Sequence, residues 1–441
     1  MSASPARSAA FDILLAVEQK DAYASELLHS ERYARLSPVD HRLATEIVMG
    51  VLRWRSVLDG EIAAHSSYDL MRLDAEVLIA LRMGSYQLRF LERIPASAAV
   101  NESVELIKRA RKRSAASFAN AVLRKIQKGP RVEAGVPDCK TDAELAVASA
   151  HPAWLVERWA QQFGFDSAQA ICRHDQRVPE TAIRVTDECE TDLLAEGIEL
   201  ASGRLLAGAR GVKSGDITKT RVFLAGRVAI QDEASQLIAL LVGKGRQILD
   251  CCAAPGGKTR VLAERNPQAK ILALDLHPHR ARLLRKMAPH ENVEVLTADA
   301  VHFSSDRQFD RIVVDAPCSG TGTLARNPEI KWRLSATDLL DLQSRQRAIL
   351  QAAMRQLAPG GKLVYSTCSL EEEENAAVVE LALSAEPGFR LMECKDELAR
   401  LKNEGEFVWP DSASLLDGPY LRTIPGIHPC DGFFAAVLTR S

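Results

Sequence analysis

Along residues 6–128 the apolar positions recur at helical spacing. Phe11, Leu14, Leu15 and Val17 begin the pattern, Leu43, Ile47, Val48, Val51 and Leu52 continue it, and Val77, Leu78, Leu81 and Leu88 repeat it. Pro95 interrupts the series, which Ala99–Ala110 and Ser117–Ile126 resume. Gly129–Pro137 has the turn chemistry of a linker. From about 150 to 236 the pattern is mixed: Trp154–Phe163 predicts a helix, Thr181–Val185 and Val222–Ile230 short strands. Beyond Gly243 and Gly245, short apolar runs alternate with helical stretches. The runs are Ile248–Asp250, Ile271–Asp275, Val293–Asp299, Ile312–Asp315 and Leu363–Ser366. Runs of this kind predict a parallel sheet covered by helices on both faces. Aspartates closing them fall at the carboxyl edge, where doubly wound sheets place ligands. The expected organisation is a helical domain over 1–135, a small α+β segment over 145–237 and a Rossmann-like α/β domain over 238–441. Glu371–Glu374 reads as a solvated helix start, where acids favour the dipole.

Length and composition narrow the class. At 441 residues the chain predicts two or three domains, and 46% apolar with 26% charged residues is the balance of a globular protein. No apolar run approaches the roughly 18 residues of a membrane span. Asp12 and Glu18 interrupt the first twenty residues, which lack a signal-peptide core, so a cytoplasmic protein is expected. The nine cysteines are odd in number and include no Cys-x-x-Cys pair, so neither a zinc site nor a disulfide framework is expected. The net charge of −2 hides a basic stretch: residues 104–131 hold nine Lys or Arg against one acid, Glu105. Lys108, Arg109, Arg111, Lys112 and Arg113 form either a solvated helix surface or a patch that tracks phosphates of a polyanion.

The candidate chemistry lies after residue 250. Asp250-Cys-Cys-Ala-Ala-Pro-Gly-Gly-Lys-Thr259 is a strand end, a turn and a helix start, with amides placed to face an anionic group. A phosphate-binding loop needs glycine where Cys252 stands, and the G-x-G-x-x-G fingerprint is absent. Gly256-Gly257 still permits close approach to a ligand. Asp275, 25 residues after Asp250, is placed either to accept two ribose hydroxyls or to cap the next helix. Asp299 can reach an adenine amino group. Asp315-Ala-Pro-Cys318 and Ser366-Thr-Cys368 end neighbouring runs and bring two thiols beside the turn. Carbon 5 of cytosine is too weak a nucleophile to take a methyl group, and a thiolate added at C6 makes the ring enamine-like. Such a thiolate needs a site that ionises it, and Asp315 is placed to stabilise the protonated ring.

These three blocks, in this order, resemble the Sun/Fmu family of RNA cytosine-C5 methyltransferases. The resemblance rests on Cys252-Ala-Ala-Pro-Gly-Gly-Lys258, Asp315-Ala-Pro-Cys318 with Leu324–Trp332, and Ser366-Thr-Cys368-Ser369 followed by Glu374-Asn375. It implies a Rossmann-like catalytic domain using S-adenosyl-L-methionine. Cys252, Ala253, Ala254, Pro255, Gly256, Gly257, Lys258, Asp275, Asp299 and Asp315 would contact the cofactor. It makes Cys368 the nucleophile and Cys318 the group that assists release, whereas DNA cytosine methyltransferases place the nucleophile in a Pro-Cys motif. Ala44–Trp54, Ala99–Leu106 and Asn120–Arg124 resemble a NusB-like RNA-binding domain, so the substrate implied is small-subunit (16S) ribosomal RNA, bound by a monomer without metal. Ile230–Gln236 and Asp431–Phe434 resemble the start of the catalytic domain and its last strand. Cys251, Ser117 and Thr186 depart from the family's usual alanine, glycine and asparagine. The catalytic blocks serve transfer RNA equally well, and NusB-like helices also occur in non-catalytic RNA-binding factors. The intact pair of thiols argues against that last reading.

Overall fold

The computed structural model describes residues 3–20, 22–130 and 135–441. Part of the expected linker, residues 131–134, lies outside the described residues. Contacts divide the chain into two compact units: residues 1–178 with 324–333, and residues 179–323 with 334–441.

The first unit is helical. Its long helices are Pro5–Lys20, Pro38–Arg53, Arg55–His65, Ala75–Phe90, Ala96–Arg109 and Ala116–Ile126, followed by Asp142–Ala148, Ala153–Phe163 and Phe165–Asp175. Ser37 starts the second by accepting a bond from the Asp40 N–H at 3.1 Å, with Pro38 next to it. Ile13, Ile47, Leu81, Leu106 and Leu123 meet in one fully buried cluster, each contributing about 1.5–3 kcal/mol. The last helices fall in this unit, although the pattern groups them with the α+β segment.

Segment Leu324–Arg333 also belongs here. The Ala24 N–H donates to Glu329 at 2.8 Å, Arg53 to the Ala325 carbonyl at 2.9 Å, and Lys331 to the Arg53 carbonyl at 3.0 Å. Trp332 donates to the Leu52 carbonyl at 2.6 Å, and Arg333 to those of Val17 and Ala22. Lys331 is 1% exposed, and burial pushes its ammonium down to about 7. Burial likewise holds the His151 imidazole well below its ordinary value and pushes the Cys172 thiol up to about 12.

The second unit holds two sheets. Strands β1 (Thr181–Arg184), β2 (Glu199–Ser202), β3 (Ala209–Ser214) and β4 (Ala229–Ile230) form an antiparallel sheet in the order β2-β3-β1-β4. The expected strand Val222–Ile230 shrinks to β4, because Thr220 accepts a bond from the Phe223 N–H and winds Arg221–Leu224 into a helical turn. Thr186 caps the helix Asp187–Ala195 through the Cys189 N–H.

The larger sheet contains β5 (Gln247–Asp250), β6 (Lys270–Asp275), β7 (Val293–Thr297), β8 (Phe309–Asp315), β9 (Leu357–Thr367), β10 (Phe389–Met392), β11 (Leu416–Asp417), β12 (Tyr420–Thr423) and β13 (Phe433–Arg440). Its order is β11-β12-β13-β9-β8-β5-β6-β7, with β10 also paired to β13. Strands β7, β6, β5, β8 and β9 are parallel as the pattern predicts. Beyond β9 the sheet turns antiparallel, an addition that the apolar runs did not announce. Ile312 and Val314 pack on one face and Val313 on the other, beneath the helices Ala336–Gln356 and Glu233–Val242 respectively. That two-sided burial is why these stretches lack polar alternation.

Candidate active site

The register of β8 against β9 builds the site. Asp315 pairs with Ser366, so Cys318 and Cys368 emerge side by side just beyond the carboxyl ends. Their Sγ atoms are 3.4 Å apart. The Gly322 N–H donates to the Cys368 carbonyl at 2.9 Å, and the Gly432 N–H to the Gly322 carbonyl at 2.8 Å. A side chain at either glycine would strike the other's backbone, since a Cβ on Gly322 would lie 2.2 Å from the Gly432 oxygen.

Asp315 is gripped from both sides. Lys258 donates to its Oδ2 at 2.7 Å and the Ser366 hydroxyl to its Oδ1 at 2.9 Å. The Lys258 ammonium also lies 5.1 Å from the centre of the Phe433 ring. Lys258, expected only at the cofactor turn, thus joins that turn to the thiol loop. The Cys318 thiol is pushed well above its ordinary value, first by its contact with Cys368, then by burial and by the charges of Glu374 and Asp315. Two thiolates at this separation repel, so the two thiols do not ionise together.

The cofactor turn leaves β5 at Asp250. Burial pushes this carboxyl up to about 7; its Oδ2 accepts the Thr259 hydroxyl at 2.7 Å, and its Oδ1 has no partner among the described residues. Cys251 and Cys252 are both pushed up by burial, so Cys251 acts as a core residue. Ala253 bonds the Leu274 carbonyl through its N–H, and the Ala254–Pro255 bond is cis. Gly256 has φ 116°, closed to most side chains, and a Cβ there would lie 2.9 Å from Leu284. The helix Gly257–Arg265 begins without a side-chain cap, leaving its first amides for an anion.

Asp275 ends β6 and does not cap the next helix, Pro278–Met287, whose N-cap is His277. Asp275 Oδ1 accepts the His277 N–H at 3.0 Å, and its Oδ2 lies 3.7 Å from Arg280. Asp299 lies two residues past the end of β7 rather than closing it. It accepts the Val301 N–H at 2.9 Å, a bond that lowers its pKa, and contacts His302 at 2.8 Å. An uncapped helix start, an unpartnered buried carboxylate oxygen and acids at successive strand ends suit an amino-acid carboxylate, an ammonium and a ribose diol. The residues fit S-adenosylmethionine.

One expectation is overturned in part. Glu372–Glu374 is a helical turn with Glu372 exposed, but Glu371, Glu374 and Asn375 are fully buried. Glu374 Oε1 accepts the Ser319 N–H and the Gln346 amide, each at 2.8 Å, and its Oε2 accepts the hydroxyls of Ser319 and Ser369. Asn375 donates to the Ser369 carbonyl at 3.0 Å and accepts the Thr367 hydroxyl. The repeated Cys-Ser of the two loops, Cys318-Ser319 and Cys368-Ser369, was the available signal. The basic stretch is also tempered. Lys108 pairs with Glu105, Arg109 with Asp12 and Lys112 with Asp74, at 2.7–3.0 Å.

Residues 237–439 match the family of 16S rRNA methyltransferases RsmB/F, residues 4–128 the NusB family, and residues 151–204 a ferredoxin-like domain of RsmF/B-like methyltransferases. The probable ribosomal RNA small subunit methyltransferase B of Bacillus subtilis is 34% identical and aligns over 100% of both chains. The chain belongs to the RsmB/F family. Its members are S-adenosylmethionine-dependent RNA methyltransferases, and S-adenosylmethionine is the cofactor. The Vibrio cholerae ribosomal RNA small subunit methyltransferase B is 32% identical, over 92% of this RsmB/F chain and 91% of its own. Among solved structures, PH0851 shares the fold across 99% of both chains, with TM-score 0.80 and 24% identity. NSun6 from Pyrococcus horikoshii with SFG covers 66% of this chain and 99% of its own, with TM-score 0.56 and 20% identity.

Proposed function

We propose that this chain methylates C5 of a cytosine in small-subunit (16S) ribosomal RNA through a covalent bond between Cys368 and C6. The observation that carries the reading is the 3.4 Å approach of two thiols beside an Asp315 held by Lys258 and Ser366. The B-type small-subunit relatives supply the substrate class, and the three segments 1–135, 145–237 and 238–441 divide RNA binding from catalysis.

S-adenosylmethionine supplies an electrophilic methyl group, held by the Cys252–Lys258 turn, Asp275 and Asp299. The Cys368 thiolate adds to C6, and the C5=C6 electron pair becomes available at C5 to form the bond to the methyl group. The ring nitrogen takes a proton from water as the thiolate adds and returns it to water when the S–C6 bond breaks; the Asp315 carboxylate stabilises the protonated ring, while Lys258 and Ser366 fix its orientation. Once Cys368 is a thioether, its charge no longer opposes ionisation of Cys318, which yields its proton to water. The Cys318 thiolate then takes the C5 proton, the electron pair re-forms C5=C6, and the S–C6 bond breaks. Cys368 leaves as thiolate and Cys318 as thiol, restoring the initial pair with one proton released overall.

The test is methylation of unmethylated small-subunit RNA by the purified protein, read by bisulfite sequencing, with transfer RNA in parallel. Cys318→Ala should leave a protein–RNA adduct that survives denaturant, and Cys368→Ala should leave none. Modification of transfer RNA alone would replace the substrate assignment, and full activity of Cys368→Ala would end the nucleophile assignment.

A further inference from the structure

We infer that Glu374 is a positioning residue for the thiol pair: by tying Ser319, next to Cys318, to Ser369, next to Cys368, it sets the spacing on which release of the methylated base depends. The inference rests on the reading of Cys368 as nucleophile and Cys318 as the releasing group.

Glu374 is fully buried, yet none of the groups bonded to its carboxylate is a cation. A buried carboxylate of this kind is costly unless donors satisfy it. Here the four donors come from three separate stretches: the loop after β8, the loop after β9, and Gln346 of the helix Ala336–Gln356. Gln346 also bonds the Pro317 carbonyl at 2.9 Å, directly before Cys318. The Tyr365 hydroxyl fixes Glu374 from behind by donating to its carbonyl at 2.7 Å. A carboxylate offers about four acceptor sites and no donor. All four are occupied, so Glu374 has no lone pair for a substrate and acts through its neighbours.

Glutamine has the same shape but accepts at one end only. It can keep the Ser319 N–H and Gln346 contacts, while its amino group faces hydroxyls that both now donate. The two serines must turn, and the loops lose their shared anchor. Attack requires only Cys368. Release requires Cys318 to stay within reach of C5 while Cys368 is bonded to C6, so release is the step that suffers more.

The experiment is single-turnover reaction of the full chain with S-adenosylmethionine and unmethylated small-subunit RNA. Adduct is scored on denaturing gels and methylated product by bisulfite sequencing. Glu374→Gln should raise the adduct-to-released-product ratio about tenfold, the scale of one charge-assisted hydrogen bond. In a Cys318→Ala background the same change should add nothing, because the group it positions is gone. A wild-type ratio in Glu374→Gln, or an equal rise in both backgrounds, overturns the inference. Should Glu374→Gln fail to fold, Ser319→Ala must shift the ratio in the same direction by a smaller factor, and no shift is again fatal. If Cys318→Ala alone accumulates no adduct, the underlying reading has failed, an outcome separate from failure of Glu374.

Discussion

Residues 315–323 and 324–333 are consecutive, and they use buried charge in opposite ways. The first stretch carries Asp315 and Cys318 into a cluster whose partners are themselves ionisable or nucleophilic: Lys258, Cys368 and, through Ser319, Glu374. The second sets Lys331, Trp332 and Arg333 against main-chain carbonyls of the helical unit, which cannot titrate. Both contain a group far from its ordinary pKa, Cys318 upward and Lys331 downward. The largest cause differs: for Cys318 it is the neighbouring thiol, and for Lys331 it is burial, with Asp175, Cys172 and Arg53 acting less; the first pattern points to chemistry and the second to an anchor.

The comparison breaks most visibly in activity. Cys368→Ala should cost at least about 10³-fold in turnover with the melting profile unchanged, whereas Lys331→Met should spare the covalent adduct formed by a Cys318→Ala partner mutation. If Lys331→Met abolished adduct formation in folded protein, the anchor would be part of the chemistry.

Stability against pH separates Asp250 of the catalytic unit from the Lys331 anchor by sign. Asp250 is raised in the folded state, so its contribution is full at low pH and lost as pH rises towards its folded value near 7. Asp250→Asn should therefore gain about 2–3 kcal/mol on wild type between pH 5 and pH 8 in urea unfolding. Lys331 is depressed, so its contribution is full at high pH and lost as pH falls from the free-lysine range towards 7. Wild type should gain about 2 kcal/mol on Lys331→Met between pH 7 and pH 9. Parallel curves for either pair would contradict the burial that sets these values.

The smallest effect concerns the helix surface. Replacing Lys108, Arg109 and Lys112 by alanine should lower the slope of RNA affinity against salt by less than about one, because Glu105, Asp12 and Asp74 already neutralise them. A drop near three would restore this surface as the phosphate-tracking patch.

What the chain made legible follows from what is local. The β5, β6, β8 and β9 runs are apolar throughout because both faces are covered, and their carboxyl ends carry the motifs. Glu374 escaped notice because its donors lie 5, 28 and 55 residues away, and four acids in a row look solvated until those donors arrive. The pairing of Arg109 with Asp12 spans 97 residues and was equally invisible. In the antiparallel half the start of β13 was legible through the resemblance of Asp431–Phe434, whereas β11 has two residues and β12 four, too few to establish a period.

The path of residues 324–333 has a consequence for modularity. The polypeptide leaves the catalytic unit at Thr323, spends ten residues inside the helical unit and returns at Leu334. The two units are therefore not beads that recombination or a protease could part at one cut. A fragment beginning at Pro179 would still carry Lys331 and Trp332, stripped of the carbonyls of Arg53 and Leu52 that receive them. Any shortened descendant of this architecture would have to rewrite that decapeptide, and with it the stretch directly after the Cys318 loop.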